Sequence, residues 1–151
     1  MTVSNANDIA DFFVFNFQQA GDPLTNLKLQ KLLYYAQGWH LALKGEPLFN
    51  ERIEAWPHGP VVPPIYGKFK KFQWNPIVAD ITEPPLGEEI ASHLKEVMDV
   101  YGVHGAWYLE KLTHQERPWI ETRGNIDPTE FCTNVIPPET MKSFFLGQLQ
   151  R

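Results

Sequence analysis

The sequence predicts a mainly α fold: a single compact domain of six or seven helices around one buried central helix, with a small β-hairpin. Three observations predict it. Residues 26–43 are apolar on nearly every side at helical spacing, as in a helix enclosed by neighbours. Residues 88–101 repeat apolar positions at Ile90, Leu94, Val97, Met98 and Tyr101, an amphipathic helix. The extended stretches are short and broken by proline, as at Pro63-Pro64, Pro84-Pro85 and Pro137-Pro138.

Taken in order, the first helix is expected over Asn7–Gln19, capped by Asn5 or Asn7 and ended by Gly21-Asp22-Pro23. Ile9, Phe12, Phe13 and Phe17 share a face, while Val14 and Phe15 lie off it, so more than one flank should be buried. The central helix is expected over Asn26–Leu43, with Gly45 just past its end. Leu29, Leu32, Leu33, Ala36, Trp39, His40 and Leu43 form a broad stripe, opposed by Leu27, Tyr34, Leu41 and Ala42. Leu29, Leu32, Leu33, Ala36 and Trp39 are assigned to the core. Gly38 costs about 1 kcal/mol against Ala inside a helix, and a close helix crossing over it would offset that cost.

Two short extended segments follow, Pro47–Asn50 and Arg52–Trp56, with Ile53 and Ala55 alternating against Glu54 and Trp56. Trp56-Pro57-His58-Gly59-Pro60 reads as a rigid turn without regular structure. Pro63 and Pro64 open a helix through Lys71. A strand is expected at Ile77–Ile81, then helices over Glu88–Tyr101 and Gly105–Leu112 and a helical turn at Pro118-Trp119. A last helix from Pro137-Pro138 should turn Met141, Phe144, Phe145 and Leu149 inward.

Composition narrows the function. The chain has 151 residues, 43% hydrophobic and 21% charged, an ordinary globular balance for one domain. Its net charge of -5 argues against gripping nucleic-acid backbones, so no specific nucleic-acid partner is expected. Cys132 is the sole cysteine, read as a structural thiol in a reducing compartment. No basic-then-apolar leader opens the sequence and no apolar run reaches the roughly 20 residues of a membrane span, so a cytoplasmic protein without membrane contact is expected.

Catalytic patterns are missing. None of Ser4, Ser92 and Ser143 lies in a nucleophile elbow, and there is no phosphate-binding glycine loop. His40, His58, His93, His104 and His114 show no metal-ligand spacing, so no catalytic residue, metal or cofactor is assigned. His40 reads as a core imidazole. His58 in its turn, and His114 beside Glu116, keep a hydrolase reading open against local capping.

The segment from Gly67 to Trp74, Gly-Lys-Phe-Lys-Lys-Phe-Gln-Trp, joins lysines to aromatics. Phe69 and Phe72 at i, i+3 read as core residues with solvated lysines opposite. The same residue types can stack single-stranded bases or anchor a protein partner. The candidate partner-binding residues are Trp56, His58, Tyr66, Lys70, Lys71 and Trp74.

The run Leu24–Leu41, LTNLKLQKLLYYAQGWHL, resembles the signature of the Panacea domain, the SocA-like antitoxin family. Glu46-Pro47-Leu48-Phe49, Glu54-Ala55-Trp56 with Gly59-Pro60-Val61-Val62-Pro63 and Tyr66, Leu112-Thr113-His114-Gln115-Glu116-Arg117-Pro118-Trp119, and the closing 136–145 segment agree in order. Pro57-His58 departs from the pattern. The resemblance covers nearly the whole chain, 1–151. It implies a small helical antitoxin, often prophage-borne, that neutralises a cognate toxin encoded by an adjacent gene through direct protein–protein contact, without catalytic residues or cofactor. Two other binding roles stay open: an adaptor delivering a client to a protease, and a DNA-binding repressor, for which no basic recognition helix is visible.

Overall fold

The computed structural model describes residues 4–149. Seven α-helices and one two-stranded antiparallel sheet account for its regular structure: α1 Ala6–Gln19, α2 Asn26–Lys44, β1 Glu54–Trp56, β2 Gly59–Val61, α3 Pro63–Phe69, α4 Glu88–Tyr101, α5 Ala106–Thr113, α6 Arg117–Arg123 and α7 Pro138–Leu149. A 3-10 turn, Lys70–Phe72, extends α3.

Local signals set the helix ends. The Asn5 side chain accepts from the Asp8 N–H and the Thr25 hydroxyl from the Lys28 N–H, satisfying donors that a helix start leaves free. Gly45 closes α2 in the left-handed region at φ 77°. Pro63 and Pro118 occupy first turns, where a missing N–H costs nothing.

The helix α2 is the hub, packing against α1, α3, α4, α5, α7 and β2. Leu29, Leu32, Leu33 and Ala36 are wholly buried, as are Tyr34 and Tyr35 on another side. Gly38 explains itself at the α7 crossing, because a Cβ there would fall inside the ring of Phe145. Trp39 is half-buried and donates from Nε1 to the Tyr101 hydroxyl at 2.8 Å, tying α2 to α4.

Polar residues of α2 are as buried as the apolar ones: Asn26, Gln30, Lys31 and Gln37 are at most 4% exposed. Two of them, Gln37 and Gln30, serve as substitute strand partners. The Gln37 oxygen accepts from the N–H groups of Leu48 and Phe49, and its amide donates to the Phe49 carbonyl at 2.7 Å. The Gln30 oxygen accepts from the Val62 N–H at 2.9 Å, and the Asn26 amide donates to the Tyr66 carbonyl. On α1, Gln18 brackets Ala79 in the same manner, at 2.9 and 3.0 Å.

This device corrects several expectations. Residues 47–50 and 77–81 are extended but form no strand, since glutamine side chains hold their backbone groups in place of a sheet. The segment Trp56–Pro60 is regular after all: Trp56 pairs with Gly59 across a two-residue turn, Pro57-His58, with Gly59 at φ 113°. Ile53, just before β1, and Glu54 and Ala55 within it are all buried rather than alternating. A return segment covers the outer edge, with Ala55 N–H bonded to the Asn134 carbonyl and Ile136 N–H to the Ile53 carbonyl. Glu54 is satisfied there by Arg52 at 2.7 Å and the Trp56 indole at 2.8 Å. Leu43 and Leu149, expected inward, are about half exposed, because each sits on the last turn of its helix beyond the crossing partners.

Candidate functional site

Of the six residues proposed from sequence, Trp56, Tyr66, Lys70 and Trp74 are connected, Lys71 lies outside their cleft over Phe72, and His58 faces elsewhere. Trp56 ends β1. Its ring meets Tyr66 of α3 edge-on at 5.0 Å, and its carbonyl accepts from the Trp119 indole at 2.8 Å. Phe131 lies against the other side of Trp56 at 5.3 Å and is 61% exposed. Sequence reasoning missed Phe131. Its only signal was a lone aromatic in a polar, turn-rich stretch. The buried Arg123 places it by donating to the carbonyls of Ala55, Asp127 and Glu130, which pins the 124–131 loop against β1.

Tyr66, Lys70 and Trp74 come together with Asn26, Leu27 and Gln73 around a cleft of about 220 Å³. Trp74 is 73% exposed. Gln73 takes φ 53° and ψ -120°, a conformation that costs a non-glycine residue about 1–3 kcal/mol. That strained residue sets the direction of the chain as it enters Trp74. Lys70 and Lys71 are exposed, and among the described residues neither has a carboxylate partner, whereas Lys68 is tied to Asp11 at 2.8 Å and to Asn7. Lys71 stands 5.5 Å over the Phe72 ring. Phe69 is buried and Phe72 packs against the core, so the aromatics at i, i+3 are structural and the lysines form their solvated face.

His58 is the outlier. At the hairpin turn it faces α5, with Nδ1 3.1 Å from a Glu110 oxygen. The ring therefore pairs with a carboxylate rather than capping backbone. His114 and Glu116 do not pair. His114 stacks on Trp119 at 4.1 Å, its Nε2 is buried without a partner, and burial lowers its pKa. Glu116 turns the other way and accepts from the hydroxyls of Tyr34 and Tyr35, each at 3.0 Å. Burial raises its pKa to about 7, although both tyrosines oppose the shift. Lys31 is wholly buried, its Nζ has no hydrogen-bond partner among the described residues, and desolvation lowers its pKa to about 8. Gly59 is needed beside it, since a Cβ would stand 2.7 Å from the Lys31 Cε and 2.9 Å from the Thr113 hydroxyl.

Cys132 is buried, with Sγ 3.4 Å from the Asn134 N–H, and His40 is buried against the Glu46 carbonyl at 2.7 Å. Among the described residues, no three or more His, Cys, Asp or Glu are grouped to hold a metal, and no helix is long and apolar enough to cross a membrane. The Trp56–Trp74 region presents partly or fully exposed aromatic rings beside lysines that have no carboxylate partner among the described residues.

Residues 29–120 match the model of the family described as Antitoxin SocA-like, Panacea domain. Over 110 residues the chain is 36% identical to the Antitoxin SocA of Caulobacter vibrioides (strain NA1000 / CB15N), an alignment covering 64% of this chain and 58% of that protein. The chain thus spans less than two thirds of the length of that curated relative. No solved structure gives a significant match.

Proposed function

The chain belongs to the SocA-like antitoxin family with a Panacea domain, and from that premise we propose that it neutralises a cognate toxin, encoded by an adjacent gene, through direct protein–protein binding in the cytoplasm. The family match carries this reading. The surface formed by Phe131, Trp56, Tyr66, Lys70, Lys71 and Trp74 is the contact face we assign to the toxin. Exposed tryptophan and tyrosine rings are among the residues that dominate binding energy at interfaces, and the lysines beside them add charge that can steer a partner. The strain at Gln73 supports a functional role for Trp74, since unfavourable backbone persists where it orients a useful side chain. The lysines call for a toxin surface with carboxylates opposite them.

Growth rescue tests the assignment. A variant with Tyr66, Lys70 and Trp74 all replaced by Ala should remain folded and lose rescue of cells expressing the toxin. Full rescue by that folded variant overturns the surface. A His114→Ala variant should rescue fully if no hydrolytic step is involved. Toxin abundance in the same cells is predicted to stay constant under masking, and a fall in abundance would replace masking with delivery to a protease.

A further inference from the structure

A second surface lies along α4. The end of α2, one side of α4 and the end of α7 enclose an apolar groove of about 300 Å³, with Trp39, Leu43, Val97, Val100 and Leu149 among its lining residues. Val100 is 59% exposed, Leu149 51% and Leu43 49%. Aliphatic side chains at three neighbouring helix surfaces are thus left in water together, which marks a binding face rather than scattered surface residues. The groove continues toward the start of α4 through a second concavity, with which it shares Leu43, His93 and Glu96, and a third, which shares Lys44, Glu89 and His93 with the second.

Among the described residues, the charges along this trough are predominantly acidic. The three concavities are lined by four carboxylates, Glu46, Glu88, Glu89 and Glu96, and by a single ammonium, Lys44. Lys44 is already engaged with Glu89 at 2.6 Å. His93 adds no charge: its Nε2–H donates to the Ala36 carbonyl at 2.9 Å, and burial lowers its pKa. Lys95 stands about 100° around the helix from Glu96, on the outer face of α4. The trough therefore has an apolar floor and an acidic rim, and its length follows the 14 residues of α4, about 21 Å.

We propose that this trough docks a basic amphipathic helix of a partner protein, about 14 residues long. The partner's apolar stripe covers Leu43, Val100 and Leu149, and its lysines or arginines face Glu88 and Glu96. The face lies on α4 and α7, apart from the Tyr66–Trp74 cleft on α3, so the proposal does not depend on where the toxin binds.

The test uses the full chain and a fluorescent 14-residue peptide of leucine and lysine at helical spacing, followed by anisotropy. A control peptide has the same composition in an order that forms no apolar stripe. The amphipathic peptide should bind saturably and at least about tenfold tighter than the control, and Val100→Glu or Glu96→Lys should each weaken it about fivefold or more. Both positions are exposed, so helical circular dichroism should match the unaltered chain. Equal binding of the two peptides, or unchanged binding by a folded variant, overturns the proposal. So does concentration-dependent dimerisation abolished by Val100→Glu, which would make a second copy of this chain the occupant.

Discussion

Gly38 of α2 lies directly beneath the ring of Phe145 of α7, with no room between them for a single carbon. This is the tightest part of the crossing that closes the core, and Tyr34, Tyr35 and Trp39 pack around the same ring at 5.1–6.0 Å. Gly38→Ala should therefore destabilise the protein despite the helix propensity gained, which is about 1 kcal/mol. Overpacking of a dense core costs about 1–3 kcal/mol, so a net loss of up to about 2 kcal/mol is expected in urea denaturation. Phe145→Leu in the same chain should recover part of that loss. Undiminished stability of the single variant would mean that α7 docks elsewhere.

Glu116 predicts an acid-side pH dependence. Its folded pKa, raised from 4.5 to about 7, means that the folded state holds a proton the unfolded state has released across that window. Stability attributable to Glu116 is full below about pH 4.5 and falls as pH rises to about 7, by roughly 3 kcal/mol. His93 and His114, both lowered by burial, act in the opposite direction below pH 6.5. The Glu116→Gln variant isolates the carboxyl, because its amide oxygen can accept from one tyrosine while its NH2 donates to the hydroxyl oxygen of the other, as a protonated carboxyl would. The variant should match the parent near pH 5 and exceed it at pH 8, measured by denaturation at both values. A stability difference independent of pH would contradict the raised pKa.

Lys31 predicts an alkaline limb. Its pKa falls from 10.5 to about 8, so between those values the unfolded chain holds the proton that the folded chain has lost. Stability from this group rises with pH across that window. Lys31→Met removes a buried, unpartnered ammonium of similar length and should raise stability at pH 7 by a few kcal/mol while flattening the rise above pH 8. The comparison is best read below pH 10, before the tyrosines of the unfolded chain ionise, since burial raises Tyr34, Tyr35 and Tyr101. A Lys31→Met chain less stable than the parent at pH 7 would show that the ammonium has a partner in solution.

Gln73 predicts a gain of stability at the expense of function. Gln73→Gly relieves the backbone at φ 53° and should stabilise by about 1 kcal/mol, read as a raised urea midpoint. The added freedom should also loosen Trp74 and weaken toxin binding. Tighter binding by Gln73→Gly would contradict the orienting role.

The helices were readable because their signals are local. The stripe of α4, the cap at Asn5 and Gly45 after α2 all lie within one or two turns of what they determine. The buried polar residues were not readable, because their partners are remote. Glu116 meets tyrosines 82 and 81 positions away, and Arg123 reaches Ala55 across 68. Gln37 and Gln18 replaced strand pairing where extended sequence predicted strands. On the candidate surface, Tyr66, Lys70 and Trp74 could be grouped because they lie close together in sequence, and α3, its 3-10 turn and the backbone at Gln73 bring them around one cleft. His58 was placed with them by proximity in sequence alone, yet the hairpin turn sends it to Glu110. Phe131 joins through a loop whose course no short-range pattern encodes.

The most direct test of the antitoxin reading is co-purification of the tagged chain with the product of the neighbouring reading frame, beside the growth of cells expressing that product alone and with the chain. The account predicts a growth defect from the neighbour alone, restored growth with the chain present, and a complex that survives purification. A toxic neighbour that neither binds the chain nor is relieved by it would contradict the account.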